Sequence, residues 1–199
     1  HGEENADAEA VWIIDPLDGT TNFVHDVPLF CISVGLQVAG ELKVGMVYEI
    51  SRDERFTTSL GGGAFLNDVP ITISPPESLG ESLIATGFPF RDHDNVEEYL
   101  KLLRQFMIGA RGLRRLGSAA LDLCYTACGR FDGFFEANLS PWDVAAGALL
   151  IKEAGGTVTD FKGGEDYLFG KSILGSNGIL HPAILRLVDA AQPENSSLT

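Results

Sequence analysis

The pair Pro75-Pro76 constrains the fold of this chain more than any other feature, because the hydrophobic pattern obeys a different period on each side of it. Two consecutive prolines remove two backbone donors and fix two φ angles, so neither a strand nor a helix runs through them. Before the pair, β-rich runs recur at hairpin spacing. Phe30–Val38 and Leu42–Ile50 are joined by Ala39-Gly40-Glu41, and Arg55–Ser59 and Val69–Ser74 follow on either side of Gly61-Gly62-Gly63. This half predicts an antiparallel meander. After the pair, strand and helix alternate. Leu83–Thr86 precedes a helix over Asn95–Met107 with Val96, Leu100, Leu103 and Phe106 on one face. A second helix starts at Gly117-Ser118-Ala119 with Ser118 as N-cap and runs to about Ala127, followed by a strand at Asp132–Glu136. Ser140-Pro141 opens a third helix that Ala154-Gly155-Gly156 closes; strands at Thr157–Phe161 and Ile173–Ser176 and a helix at Ala183–Ala191 complete the series.

At 199 residues and 45% hydrophobic, the chain can bury one real core. We therefore expect one α/β domain over 1–199, with 1–76 and 77–191 as its two parts and 192–199 as a disordered tail.

Chemistry concentrates in Val11–Phe23, which reads V-W-I-I-D-P-L-D-G-T-T-N-F. The apolar run Val11–Ile14 predicts a strand buried on both faces that delivers Asp15 to its end. Pro16 makes the step to Asp18 a rigid turn and holds two carboxylates close together, where they repel unless a cation lies between them. Gly19 lets the backbone approach a ligand, and the N–H groups of Gly19, Thr20 and Thr21 can then face an anion. Carboxylates for a hard cation and bare N–H groups for phosphate are two halves of a metal-assisted phosphoryl-transfer site. The competing reading is a P-x-D-G turn after a core strand, which needs neither both carboxylates nor both threonines.

A net charge of −14 with only 14 basic residues argues against a nucleic-acid backbone or an anionic membrane as partner. Three cysteines without metal-ligand spacing suit a reduced cytoplasmic compartment, with Cys124 and Cys128 as helix-packing residues. No run is long and apolar enough for a membrane span, and no signal peptide is visible. The chain begins with His1 a few residues before its main motif, from which we expect a preceding portion to be absent. Taken alone, Glu3 and Glu4 are solvated charges in a frayed terminus, and His25 is a packing or rim residue. Asp143 at the third position of its helix is a capping residue or a site residue. Glu136 is a site residue or a strand end emerging into solvent, and Ser118 and Ala119 bind an anion or nothing.

These residues resemble the inositol monophosphatase family of Mg²⁺-dependent, Li⁺-sensitive sugar phosphatases. W-I-I-D-P-L-D-G-T-T-N-F at Trp12–Phe23 is similar to its first signature, and W-D-V-A-A-G-A-L-L-I-K-E-A-G-G at Trp142–Gly156 to its second. G-E-E at Gly2–Glu4, G-G-G-A-F-L-N at Gly61–Asn67 and L-G-S-A-A at Leu116–Ala120 extend the likeness over nearly the whole chain. The resemblance implies a layered α-β-α-β-α fold. It also implies hydrolysis of inositol monophosphate by in-line attack of a metal-activated water, with two or three Mg²⁺ ions, in a cytoplasmic homodimer whose partner is a small phosphorylated polyol.

By the same resemblance Glu3, Asp15, the Leu17 carbonyl, Asp18 and Asp143 would hold the metals, with Asp15 bridging. Gly19 and Thr20 would hold the phosphate beside Thr21, and Glu3 with Thr20 would orient the water. Ala119 and Glu136 would meet the substrate's hydroxyls, with Gly117 and Ser118 on the same wall. The family's N-terminal helices and their G-D-x-V-T-x-x-D type segment have no counterpart in the sequence, which would leave a sheet face uncovered and the chain weakly active. Fructose-1,6-bisphosphatases typically carry Ser-Ser after the signature Gly and 3′-phosphoadenosine phosphatases Thr-Lys, so Thr20-Thr21-Asn22-Phe23 favours the inositol type. A non-catalytic fragment that binds Mg²⁺ or a partner is the alternative from another class.

Overall fold

The computed structural model describes residues 9–88 and 96–191. Glu3, Glu4 and the tail from 192 lie outside the described residues, so the expectations placed on them stay where the sequence left them.

The first half forms a six-stranded sheet of β1 (Ala10–Asp18), β2 (Cys31–Val38), β3 (Glu41–Glu49), β4 (Glu54–Ser59), β5 (Gly63–Leu66) and β6 (Val69–Ile71). The strands lie in sequence order and every pair is antiparallel, as hairpin spacing dictates. β5 was not expected, because the glycine run reads as a break; the strand starts at its last glycine and carries Ala64, Phe65 and Leu66. β6 ends at Ile71, three residues short of the expected strand.

β1 departs further from expectation. Among the described residues it is an edge strand with β2 as its sole partner, and they cover only one of its faces: Ile13 is buried, while Trp12 is 61% and Ile14 50% exposed. The predicted turn at Pro16 is instead a register break within the strand. Pairing runs from Ala10↔Val38 to Asp15↔Ser33 and resumes at Asp18↔Cys31, leaving Pro16 and Leu17 as the irregular step. An edge strand tolerates a proline and a bulge there, and the bulge re-aims both carboxylates.

The second half forms a sheet in the order β10 (Thr157–Thr159), β11 (Ser172–Ser176), β9 (Gly133–Ala137), β7 (Leu83–Thr86), β8 (Gly112–Arg114). β7 runs parallel to β8 and β9, and the other pairs are antiparallel. β8 is a further strand the sequence did not announce. Helix α1 (Thr20–Val24) follows β1, α2 (Val96–Gly109) precedes β8, and α3 (Ala119–Ala127), α4 (Pro141–Glu153) and α5 (His181–Ala190) complete the described set. Of the expected apolar face of α2, Phe106 is buried and Val96 and Leu103 are half-buried, whereas Leu100 is exposed and Leu102 is buried instead.

α3 and α4 lie against each other between the two sheets, and α2 and α5 pack on the far face of the second sheet. The described layers are thus sheet, helix pair, sheet, helix pair. Close approach of α4 to the first sheet depends on Gly35 and Gly45, which are cross-strand partners. A Cβ on either would come within 2.9 Å of Ala145 or of the Ala146 carbonyl. Alternation on β9 feeds two cores, with Phe134 facing the α3/α4 layer and Phe135 stacked on Phe106 of α2 at 4.6 Å between ring centroids. The next residue, Glu136, falls on the Phe134 side by the same period.

Candidate active site

Four elements converge at one end of the helix pair. β1 contributes Asp15 and Asp18, the first turn of α4 contributes Asp143, β9 contributes Glu136, and the N-terminus of α3 closes the floor. One oxygen from each of Asp15, Asp18 and Asp143 lies within 4.8 Å of the others. Asp15 Oδ1 accepts the Leu17 N–H at 2.9 Å, and the Thr20 hydroxyl donates to the Leu17 carbonyl at 2.9 Å. Gly19 has φ 83° and a Cβ there would sit 2.9 Å from the Leu29 carbonyl, so no other residue fits this corner without strain.

Asp143 is a capping residue and also a member of the carboxylate cluster. Oδ2 accepts the Ser140 N–H at 2.7 Å as the cap of α4, while the carboxyl also faces Asp15 and Asp18. The helix start at Ser118 binds an anion as well, and the anion is Asp18: its Oδ2 accepts from the Ser118 hydroxyl at 2.6 Å and from Ala120 N–H at 2.9 Å. Ser118 also caps its own helix through Leu121 N–H at 3.3 Å. Glu136 does not emerge into solvent as a spent strand end. Its carboxyl fills the space that Gly87 leaves, since a Cβ at Gly87 would lie 1.9 Å from it.

The electrostatics are those of carboxyls crowded in a partly dry cleft. Burial pushes Glu136 up to about 8, with Arg115 opposing the shift and Asp18 and Asp143 adding to it. Burial likewise pushes Asp143 up to about 7, against the Ser140 N–H, with Asp18 and Asp15 raising it further. Asp18 is raised by burial despite the Ser118 and Ala120 bonds that favour its charged form. A bound cation relieves this repulsion. All donors are oxygens, the preference of hard divalent cations, and the set fits such an ion.

The cleft has a volume of about 510 Å³. Asp15, Leu17, Asp18, Gly19, Thr20 and Thr21 line one side of it, and Gly117, Ser118, Ala119, Glu136 and Asp143 the other. Only Glu3 of the predicted site residues is missing from this description, because it precedes residue 9. Sequence reasoning overlooked Arg115 and Phe88, whose guanidinium and ring lie 5.5 Å apart on the cleft wall, and Cys31, whose thiol packs beneath Asp18 at 3.9 Å. It also overlooked Asn22, which is buried and donates to the Leu29 and Leu116 carbonyls at 2.7 and 2.8 Å. The neighbouring T-T-N-F string was the one available signal for Asn22; the others carry no motif.

A cluster of three carboxyls in a cleft lined on one side by Gly19, Thr20 and Thr21 suits metal-assisted phosphoryl transfer on a mixed α/β fold. The chain belongs to the inositol monophosphatase family, whose pattern matches residues 1–192. It is 46% identical over 185 residues to an inositol-1-monophosphatase of Mesorhizobium japonicum, covering 93% of this chain and 70% of that protein. It is 45% identical over 188 residues to the Nus factor SuhB of Pseudomonas aeruginosa, covering 94% of this chain and 69% of that one. The staphylococcal IMPase-II structure with inositol monophosphate bound superposes with a TM-score of 0.84 at 28% identity, covering 99% of this chain and 76% of that one. These relatives support a phosphatase acting on a small phosphorylated substrate.

Proposed function

We propose that the chain is a Mg²⁺-dependent phosphomonoesterase that releases phosphate from inositol monophosphate. The observation that carries this reading is the convergence of Asp15 and Asp18 with Asp143, which come from signatures more than a hundred residues apart. Asp15, Asp18, Asp143 and the Leu17 carbonyl, with Glu3, would hold two or three ions. Bound there, Mg²⁺ would supply a water of lowered pKa and neutralise charge on the phosphoryl oxygens. Gly19 and Thr20 present N–H groups to the phosphate beside Thr21, and the Thr20 hydroxyl with Glu3 orients the attacking water. Glu136 and Ala119 meet the hydroxyls of the leaving polyol, with Gly117 and Ser118 completing the wall. The names of the Mesorhizobium relative and of the staphylococcal complex support this choice of substrate over fructose 1,6-bisphosphate.

Phosphate release should be measured from inositol 1-phosphate and fructose 1,6-bisphosphate, with Mg²⁺ and with chelator, and with added Li⁺. The expected result is Mg²⁺-dependent, Li⁺-inhibited turnover of the first substrate, reduced about 10²–10³-fold by Asp143→Asn. Equal rates with chelator, or an unaffected variant, would overturn the assignment.

A second reading comes from the relative named Nus factor SuhB: the chain also joins a transcription complex. A groove of about 420 Å³ beside β8 gathers Arg111, Arg114 and Arg115 in a chain of net charge −14, and this is where an acidic partner would dock. Direct RNA binding is opposed by the overall charge. Mobility-shift and pull-down assays with Arg111→Glu separate the two. Exposed Met107 and Ile108 on α2 beside this groove are our choice for a homodimer contact, checked by gel filtration of a Met107→Glu variant. Among the described residues no helix is long and apolar enough to cross a membrane; the cytoplasm is the compartment we propose, tested by fractionation.

A further inference from the structure

Two of the three carboxyls in the cluster take a hydrogen bond from their own neighbours, Asp15 from the Leu17 N–H and Asp143 from the Ser140 N–H. Asp18 is also gripped from across the fold. Its Oδ2 accepts the Ser118 hydroxyl at 2.6 Å and the Ala120 N–H at 2.9 Å, and the thiol of Cys31, its partner on β2, lies 3.9 Å from the same oxygen. The orientation of this carboxyl on β1 therefore depends on the start of α3.

Ser118 is preorganised for that grip. It is 2% exposed, so water does not compete for its hydroxyl. As N-cap of α3 it has an extended backbone, and its Oγ accepts the Leu121 N–H at 3.3 Å. A hydroxyl has one proton to give, and with the helix holding an Oγ lone pair that proton is turned to Asp18. The 2.6 Å separation is that of a charge-assisted O–H···O⁻ bond. Cys31 Sγ lies 3.6 Å from the same Oγ and closes the triangle beneath the carboxyl. Capping alone would accept Asp or Gly at this position, but a second carboxylate would repel Asp18 and glycine brings no proton. Oδ2, already taking two strong donors, anchors the group and leaves Oδ1 for an ion.

We propose that Ser118 is a positioning residue for the metal site, its hydroxyl clamping Asp18 Oδ2 so that the carboxylate is held ready for a divalent cation. This role rests on the reading of Asp18 as a metal ligand. Ser118→Gly removes the hydroxyl and keeps most of the cap, whereas Ser118→Thr keeps both. The apparent Mg²⁺ dissociation constant is read from the rise in melting temperature with added Mg²⁺, each variant against its own metal-free melt. It should increase about tenfold in Ser118→Gly and return to within about twofold of the parent protein in Ser118→Thr. In turnover, the Mg²⁺ concentration giving half-maximal rate should shift in step. At saturating Mg²⁺, KM for inositol 1-phosphate should stay within about twofold, because the hydroxyl is spent on Asp18 and not on the substrate.

Unchanged Mg²⁺ affinity in Ser118→Gly beside a clear loss in Asp18→Asn would leave Asp18 a ligand, make Ser118 a helix cap only and end the proposal. A KM that rises at saturating Mg²⁺ while Mg²⁺ affinity holds would put the hydroxyl on the substrate and overturn it equally. If Asp18→Asn itself binds Mg²⁺ as the parent does, the ligand reading fails and the role of Ser118 falls with it. The melts need no turnover, so a parent protein without phosphatase activity refutes only the function. Should Ser118→Gly not fold, Ser118→Ala also lacks the hydroxyl and is held to the same expected loss.

Discussion

The two sheets bury their faces differently. On the second sheet, Phe134 and Phe135 project to opposite sides of β9 and both are fully buried, one under α3 and α4, the other under α2 and α5. On the first, only the side toward α4 is sealed. Register aligns Trp12 with Leu36 and Val44, and Ile14 with Val34 and Met46, in apolar rows across the opposite face, and no described element covers them. An antiparallel sheet with one wet face normally alternates apolar with polar residues. Here both faces are apolar, so the strand pattern encodes a cover on the outer side that the described chain does not supply.

The largest effect that could break this contrast is core truncation. Phe135→Ala should cost about 3–5 kcal/mol by chemical denaturation, because it opens a cavity against Phe106 and Phe161. Matching losses from Trp12→Ala would show that the outer face of the first sheet is buried after all.

Metal linkage should come next. Saturating Mg²⁺, at about a hundred times its dissociation constant, should add about 2.7 kcal/mol and raise the melting temperature, and Asp15→Asn should abolish most of the rise. The sign with pH follows from Asp143. Its ordinary value is 3.8 and burial lifts it to about 7, so between those values the native state keeps a proton that the unfolded chain has released. Metal-free stability therefore falls as pH rises through that window. The gain from Mg²⁺ should be greater at pH 8 than at pH 5; a constant gain would contradict the raised carboxyl.

The second sheet should answer pH in the opposite sense, and less strongly. His181, at the start of α5, bonds the Ser176 hydroxyl through Nδ1 at 2.9 Å and the Thr159 hydroxyl through Nε2 at 3.0 Å, and burial lowers it from 6.5 to about 4. Between those values the unfolded chain binds the extra proton, so stability declines as pH falls from 6.5 toward 4. His181→Asn should flatten the decline in thermal melts, and an unaltered slope would assign it to other groups. The smallest effect concerns the open face. Trp12→Ser with Ile14→Thr should move stability by no more than about 0.5 kcal/mol while lowering the fluorescence of bound ANS. Undiminished ANS fluorescence would place the dye elsewhere.

Strands, caps and the hairpin at Ala39-Gly40 were legible because each is written in neighbouring residues. Ser118, and Ser140 with Pro141, announced their helices locally, and the structure starts α3 and α4 beside them. β5 was illegible because it opens on the last residue of a glycine run that reads as a break, and β8 because Gly112-Leu113-Arg114 carries a single apolar side chain. The stripe on α2 was misread at Leu100 because the helix is buried along Leu102 and Phe106, a choice made by the sheet it rests on. Within the site, Asp15 and Asp18 could be picked out by spacing, whereas the acceptance of Ser118 by Asp18 joins residues a hundred positions apart and left no local trace. Glu136 and Asp143 were ambiguous from the residues alone and were singled out through family resemblance.

Asn22 has a consequence for motion. One amide nitrogen grips the carbonyls of Leu29 and Leu116, so the loop bearing Gly19 and the strand end leading into α3 are riveted together through a single side chain. The two walls they form cannot swing independently. Breathing of the cleft should come from the side of Phe88, and amide exchange at Gly19 should rise and fall with that of the first turn of α3 as if both belonged to one rigid plate.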